Sequence, residues 1–169
     1  MATRTSLRDY QRDLAARLQS AGSGGAATKL GLQVGDGRWL VDLRDAGEVI
    51  PVPPITPVPL TQPWFRGVAN IRGNLCSVVD FAAFLGASPA PPGEQARLVL
   101  FGARFRTGGA LLVDRSLGLR NAEELQPQSA SGPQAAWLKG EYSDAQGERW
   151  KELDVAQLVA DPGFLAVGA

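Results

Sequence analysis

Short stretches in which every second residue is apolar recur along this chain, and turn-forming residues separate them. Apolar residues stand at positions 30, 32 and 34 and again at 39, 41 and 43. A period of two is typical of a half-buried β-strand, and the Gly35-Asp36-Gly37 sequence between these stretches is typical of a hairpin turn. The chain is therefore predicted to fold mainly from short strands.

The same reasoning places the remaining elements. Two short helices are expected, one over 81–85 with Asp80 as its cap and one that begins after Asp154 and ends at Asp161-Pro162-Gly163. This pattern predicts an all-β fold, and by itself it fits a barrel or a sandwich. Further strands are predicted over 48–50, 68–71, 75–80, 98–105, 110–114, 117–119, 136–141 and 148–153.

Residues 51–60 (PVPPITPVPL) form a proline-rich connection between two predicted strands. Five of its ten residues are prolines, which cannot donate to a β-ladder, so it cannot be a central strand. An extended polyproline-like path across the surface is expected instead. Residues 87–93 are a second linker rich in proline and glycine.

The N-terminal part of the chain has a different pattern. Residues 5–20 carry apolar residues at spacings of three and four, which predicts an amphipathic helix, and residues 22–25 form a Gly/Ser hinge. The expected organisation is a helix and hinge over 1–26 and one domain over 27–169. The helix either packs on its own domain or docks on a partner.

Composition excludes several classes of function. The 17 basic and 17 acidic residues cancel, which argues against an electrostatic grip on nucleic acid. The chain has no His and a single Cys, so His-dependent catalysis, a multi-cysteine metal site and an internal disulfide are not expected. No apolar stretch is long enough for membrane insertion, and the cytoplasm is the expected compartment. We predict no cofactor and no metal.

The most distinctive motif is Trp64-Phe65-Arg66-Gly67-Val68-Ala69-Asn70-Ile71-Arg72-Gly73, with two Arg-Gly pairs six residues apart. This motif resembles the core signature of the CheW family of adaptors, which couple chemoreceptors to a histidine kinase. Within that family it is most similar to the twitching-motility, or type IV pilus, branch. The resemblance implies two interleaved five-stranded SH3-like barrels with a groove between them. It also implies a protein that catalyses nothing.

The resemblance further implies partners and site residues. The partners would be the regulatory domain of a CheA-like kinase and the signalling tip of a methyl-accepting receptor, in membrane-associated arrays. Glu48 and Arg72 would form a partly buried ion pair near the receptor groove, with both a structural and a binding role. Ala46 would face the receptor groove, and Val49 would face the kinase contact. The other candidate partner-binding residues are Trp64, Phe65, Gly67 and Val113.

Core packing or a backbone requirement is an alternative explanation at several of these positions. Trp64 and Phe65 are expected to pack in the core or to form a binding anchor, and Val113 to be a core or a groove residue. Gly67 is expected to meet a backbone requirement more than to contact a partner. A small all-β enzyme using carboxylates and an oligonucleotide-binding barrel are the alternative functions, although no catalytic constellation or basic aromatic face supports them.

Overall fold

The structure, a computed structural model, describes residues 28–169. The strands of this part of the chain form two β-sheets. The predicted N-terminal helix and hinge over 1–26 lie outside the described residues. In chain order the strands are β1 (Thr28–Val34), β2 (Gly37–Asp42), β3 (Ala46–Pro51), β4 (Phe65–Ile71), β5 (Asn74–Asp80), β6 (Arg97–Phe101), β7 (Gly109–Val113), β8 (Arg115–Asn121), β9 (Gln126–Gln128), β10 (Leu138–Ser143) and β11 (Arg149–Leu153).

Three short helices complete the fold: α1 (Phe81–Phe84), α2 (Val155–Ala160) and α3 (Pro162–Leu165). The Asp80 carboxylate accepts a hydrogen bond from the Ala83 N–H at 3.1 Å and so caps α1, as the sequence predicts. Asp154 caps α2 in the same way. Asp161 ends α2, as the sequence predicts. It also caps α3, a helix that the sequence did not predict.

The two sheets are interleaved along the chain. The first sheet has the strand order β8-β1-β2-β11-β10-β9, and the second has the order β3-β6-β7-β5-β4. The chain leaves the first sheet after β2, builds the whole second sheet, and returns through β8. The parallel pairing of β11 with β2 then joins the end of the domain to its beginning. This confirms the all-β, interleaved prediction, with six strands in the first sheet rather than five.

The structure differs from the predicted elements in two places. The strand expected over 98–105 ends at Phe101, and a 3-10 turn (Ala103–Phe105) follows it. The three-residue strand β9 was not predicted, because it is fully exposed and contains Pro127, so no apolar alternation marks it.

The apolar core has three parts. The largest cluster lies between the sheets and includes Leu32 and Val41 from the first sheet and Val99 and Leu111 from the second. A second cluster, which includes Leu98 and Leu112, belongs to the second sheet, and a third, centred on Trp150, belongs to the first. Consecutive residues of β6 and β7 therefore enter different clusters, which explains why these strands are apolar on both faces.

A buried ion cluster lies in the first sheet. Lys29 Nζ donates to Glu152 Oε1 at 2.6 Å and lies 3.6 Å from Asp42 Oδ2, while Lys139 Nζ lies 3.3 Å from Glu152 Oε1. Burial alone would raise the pKa of Glu152, but hydrogen bonds from Lys29 and Tyr142 lower it below its usual value. The hydrogen bond from Arg44 likewise lowers the pKa of Asp42. Both carboxylates are therefore held ionised.

Candidate functional site

Arg72 lies at the tip of the hairpin between β4 and β5, at the predicted turn. Ile71 pairs with Asn74, so Arg72 and Gly73 form a two-residue loop in which both residues have positive φ (53° and 82°). The side-chain oxygen of Asn70 accepts a hydrogen bond from the Gly73 N–H at 2.8 Å. The loop therefore fixes the direction in which Arg72 leaves the sheet.

Arg72 is paired with Glu48 through two hydrogen bonds. Arg72 Nη1 donates to Glu48 Oε2 at 2.7 Å, and Nη2 donates to Oε1 at 2.5 Å. These hydrogen bonds and the opposite charges lower the pKa of Glu48 and raise that of Arg72. The side chains are 72% and 39% exposed, so the pair is more exposed than the partly buried pair that was predicted. The reason is that Arg72 sits on a hairpin tip.

The pair connects the two opposite edges of the second sheet. Glu48 belongs to the edge strand β3, whereas Arg72 follows the other edge strand, β4. The proline-rich connection makes a second link, because Thr56 N donates to Val68 O at 2.8 Å and Val68 N donates to Thr56 O at 2.9 Å. The second sheet is therefore closed on itself. The ion pair lies where its two edges meet, which we call the closing side.

Gly67 is what allows the proline-rich connection to lie against β4. Its φ is +125°, and a Cβ placed on it would lie 2.0 Å from the carbonyl oxygen of Thr56. No side chain fits there without moving the backbone. Gly67 is buried, so its place in the site is to let the closing segments approach each other, not to touch a partner.

Trp64 and Phe65 are half-buried, and both pack against the large core cluster. The Trp64 ring meets Phe84 edge-on, with ring centroids 5.2 Å apart, and stacks on Phe164 at 6.2 Å. These contacts support the core explanation, and part of each side chain is still accessible.

These features agree with a comparison against known protein families: residues 29–163 match the model of the CheW-like domain. The chain belongs to the CheW-like family. The solved structure of the scaffolding protein TtCheW from Thermoanaerobacter tengcongensis matches this CheW-like chain with a TM-score of 0.64. That match covers 76% of this chain and 89% of the other, at 17% identity, so it shows a common fold.

Three curated relatives of this CheW-like chain are similar in sequence. Protein PilI of Pseudomonas aeruginosa is 31% identical over 60% of this chain and 60% of its own length. The chemotaxis protein CheW of Rhizobium meliloti is 32% identical over 53% and 57%, and Protein FrzA of Myxococcus xanthus is 31% identical over 62% and 66%. The chain therefore spans less than two thirds of the length of these relatives.

Ala46 and Val49 both lie on the edge strand β3 of the CheW-like domain. Both are half-buried against the large core cluster, although three positions separate them. A β-bulge between Ala46 and Glu48 explains this, because one extra residue at Gly47 reverses the alternation of faces. Gly47 lies just before the strand predicted over 48–50, so no local sequence signal marked the bulge.

Val113 does not reach the surface of the CheW-like domain. It is 2% exposed and belongs to the cluster between the sheets. The competing explanation, core burial, describes its position. A partner can sense Val113 only through residues that pack on it.

Other groups in the described part of the CheW-like chain show little sign of catalytic chemistry. Burial raises the pKa of the Cys76 thiol, which therefore stays protonated and weakly nucleophilic. Within residues 28–169 no group of three or more His, Cys, Asp or Glu residues could hold a metal ion. None of the helices found in that range is long and apolar enough to cross a membrane.

Proposed function

We propose that this CheW-like chain is a non-enzymatic adaptor that couples a methyl-accepting chemoreceptor-like protein to a CheA-like histidine kinase. Membership of the family supports the proposal, and so does similarity to a chemotaxis protein and to a scaffolding protein. Surfaces that hold two partners at once are what such a protein requires.

The observation that carries the proposal is the exposed, doubly bonded Glu48–Arg72 pair on the closing side of the second sheet. Glu48 holds the guanidinium in one orientation, and the guanidinium keeps further N–H donors for a partner. A group that is already ordered loses little conformational entropy on binding. We assign the receptor contact to this pair and to the neighbouring Ala46 on β3.

The kinase contact is assigned to the strand edge that contains Val49, with the accessible parts of Trp64 and Phe65 as further contacts. The regulatory domain of the kinase would dock there. A receptor that prefers one arrangement of adaptor and kinase shifts the population toward it, which changes kinase activity without any chemistry in this chain.

We also propose that the chain works in membrane-associated arrays on the cytoplasmic side and controls type IV pilus twitching motility. The Trp64–Gly73 motif supports this branch, and the 31% identity to Protein PilI agrees with it.

The test is reconstitution of a complex from three purified components. The full chain, a CheA-like kinase and a receptor signalling fragment from the same genome are mixed and separated by size-exclusion chromatography. We expect one ternary peak, and we expect kinase activity to depend on the receptor fragment only when the adaptor is present.

Single-stranded oligonucleotides are tested in parallel as a competing ligand class. A chain that binds neither the kinase nor the receptor fragment, while it retains its folded circular dichroism spectrum, contradicts the adaptor proposal. Tight binding of the oligonucleotide under those conditions would favour the alternative barrel function.

A further inference from the structure

The proline-rich connection shows a repeat of three in both its sequence and its exposure. A polyproline helix has three residues per turn, so residues three apart lie on the same face. Val52 and Ile55 pack against the apolar cluster of the second sheet, whereas Pro51, Pro54 and Pro57 are exposed. The connection is therefore anchored along one face and presents rigid proline rings on another.

A hollow of about 400 Å³ opens beside this connection. Its walls come from four separate parts of the chain: the connection itself, the residue before Trp64, the start of β4 and the second linker. Proline and aromatic rings are the flat, rigid surfaces on which another aromatic ring packs well. The residues that matter here are Pro53, Pro57, Pro63, Pro92, Phe65 and Arg66.

Arg66 is the one charged residue that lines the hollow within residues 28–169. Its side chain is 24% exposed, and its Nη1 atom lies 3.8 Å from Asp80 Oδ2, which is longer than a hydrogen bond. Asp80 uses its other oxygen to cap α1. Asp80 therefore takes no hydrogen bond from the guanidinium, which keeps its N–H donors for a carboxylate of a ligand.

We propose that this hollow binds an aromatic residue of a partner protein, and that a carboxylate of the partner lies next to the aromatic ring. The ring packs between the prolines and Phe65, and the carboxylate accepts hydrogen bonds from Arg66. An uncharged apolar occupant would cover a guanidinium without giving it an acceptor, which is unfavourable, so charge complementarity selects an acidic aromatic segment.

The site is tested on the full chain with N-acetyl-L-tryptophan, which combines an indole ring with a carboxylate. In a ¹H–¹⁵N NMR titration we expect the amide shifts to be confined to the hollow, at Val52, Ile55, Phe65 and Arg66. The uncharged analogue N-acetyl-L-tryptophanamide should bind about tenfold more weakly, because it lacks the charge-assisted hydrogen bonds.

Two variants show whether the binding belongs to this hollow. Arg66→Gln should weaken binding of N-acetyl-L-tryptophan about tenfold and remove its preference over the amide. Arg115→Gln, at an exposed arginine on β8, is the matched control and should leave the titration unchanged. Shifts elsewhere, no shifts up to the solubility limit of the probe, or equal binding by Arg66→Gln would each overturn the proposal. None of these results depends on the adaptor function.

Discussion

The Arg72 guanidinium lies largely in solvent, yet both of its terminal nitrogens are held by Glu48. Exposed ion pairs contribute little to the stability of a fold, because water and salt screen them. We therefore expect a change at Arg72 to affect partner binding more than folding. This expectation separates the structural role of the Glu48–Arg72 pair from its binding role, which the sequence analysis left combined.

We expect Arg72→Ala to leave the melting temperature close to that of the wild type and to weaken binding of the receptor signalling fragment. Isothermal titration calorimetry measures the binding, and thermal unfolding is followed on the same samples. Arg115→Ala serves as the control, because Arg115 is also exposed but lies in the first sheet. If Arg72→Ala binds the receptor fragment with wild-type affinity, the Glu48–Arg72 pair is not part of the receptor contact.

Gly67 allows a second prediction at the scale of one residue. Gly67→Ala should destabilise the fold by at least about 3 kcal/mol, because the new methyl group meets the Thr56 backbone and φ is positive. Gly73→Ala is the matched control, since Gly73 also has positive φ but no atom within 4 Å of the added Cβ, and it should cost about 1 kcal/mol.

Urea unfolding of both variants measures the difference. Equal losses of stability would mean that backbone conformation alone accounts for Gly67. A clearly larger loss at Gly67 would show that the closing contact between the proline-rich connection and β4 stabilises the second sheet.

At the scale of elements, the first sheet depends on the buried charges that join β1 to β11. Glu152 is 2% exposed, and Lys29 donates to it from the opposite side of β2. Glu152→Gln leaves the buried Lys29 with only the more distant Asp42 carboxylate as a counter-charge, so it should destabilise the fold by about 3 kcal/mol. Glu148→Gln is the control, because Glu148 is exposed and pairs with Arg38 at the surface.

The same pair predicts how stability changes with pH. The folded pKa of Glu152 lies below its unfolded value, so its contribution is fully present above the unfolded pKa and is lost as the pH falls. Wild-type stability should therefore decline from about pH 5 downward, and the decline should be shallower in Glu152→Gln. Equal slopes for the two proteins, measured by urea unfolding at a series of pH values, would contradict this.

Regular strands and helix caps could be predicted from the sequence, whereas irregular elements could not. The alternation in β1 and β2 and the caps at Asp80 and Asp154 depend on neighbouring residues, so a sequence reading finds them. The bulge at Gly47 depends on pairing with a strand about fifty residues away, which no local pattern reveals.

The candidate site divides in the same way. The pairing of Arg72 with Glu48 was anticipated through the family resemblance, but its exposure was not. Apolar neighbours in sequence suggested burial, whereas the structure places Arg72 at a hairpin tip, where its side chain is 72% exposed. Val113 was ambiguous for a similar reason, because core and groove residues have the same alternation on a strand that is apolar on both faces.

At the scale of the whole molecule, the chain path ties the two sheets to each other. The second sheet is inserted between β2 and β8, and β11 completes the first sheet only after the second has been built. The largest core cluster takes residues from both sheets and from α2. Neither sheet can unfold without exposing the apolar face of the other.

We therefore expect a single cooperative unfolding transition for the whole domain. Gly67→Ala acts in the second sheet and Glu152→Gln in the first, yet each should move the entire transition to lower temperature in differential scanning calorimetry. Trp64 lies next to β4 and packs on the shared cluster, whereas Trp150 belongs to the cluster of the first sheet. A variant with Trp64 as its sole tryptophan, the others replaced by Phe, should give the same midpoint by fluorescence as by circular dichroism. Two resolved transitions would show instead that the sheets are energetically independent despite their shared core.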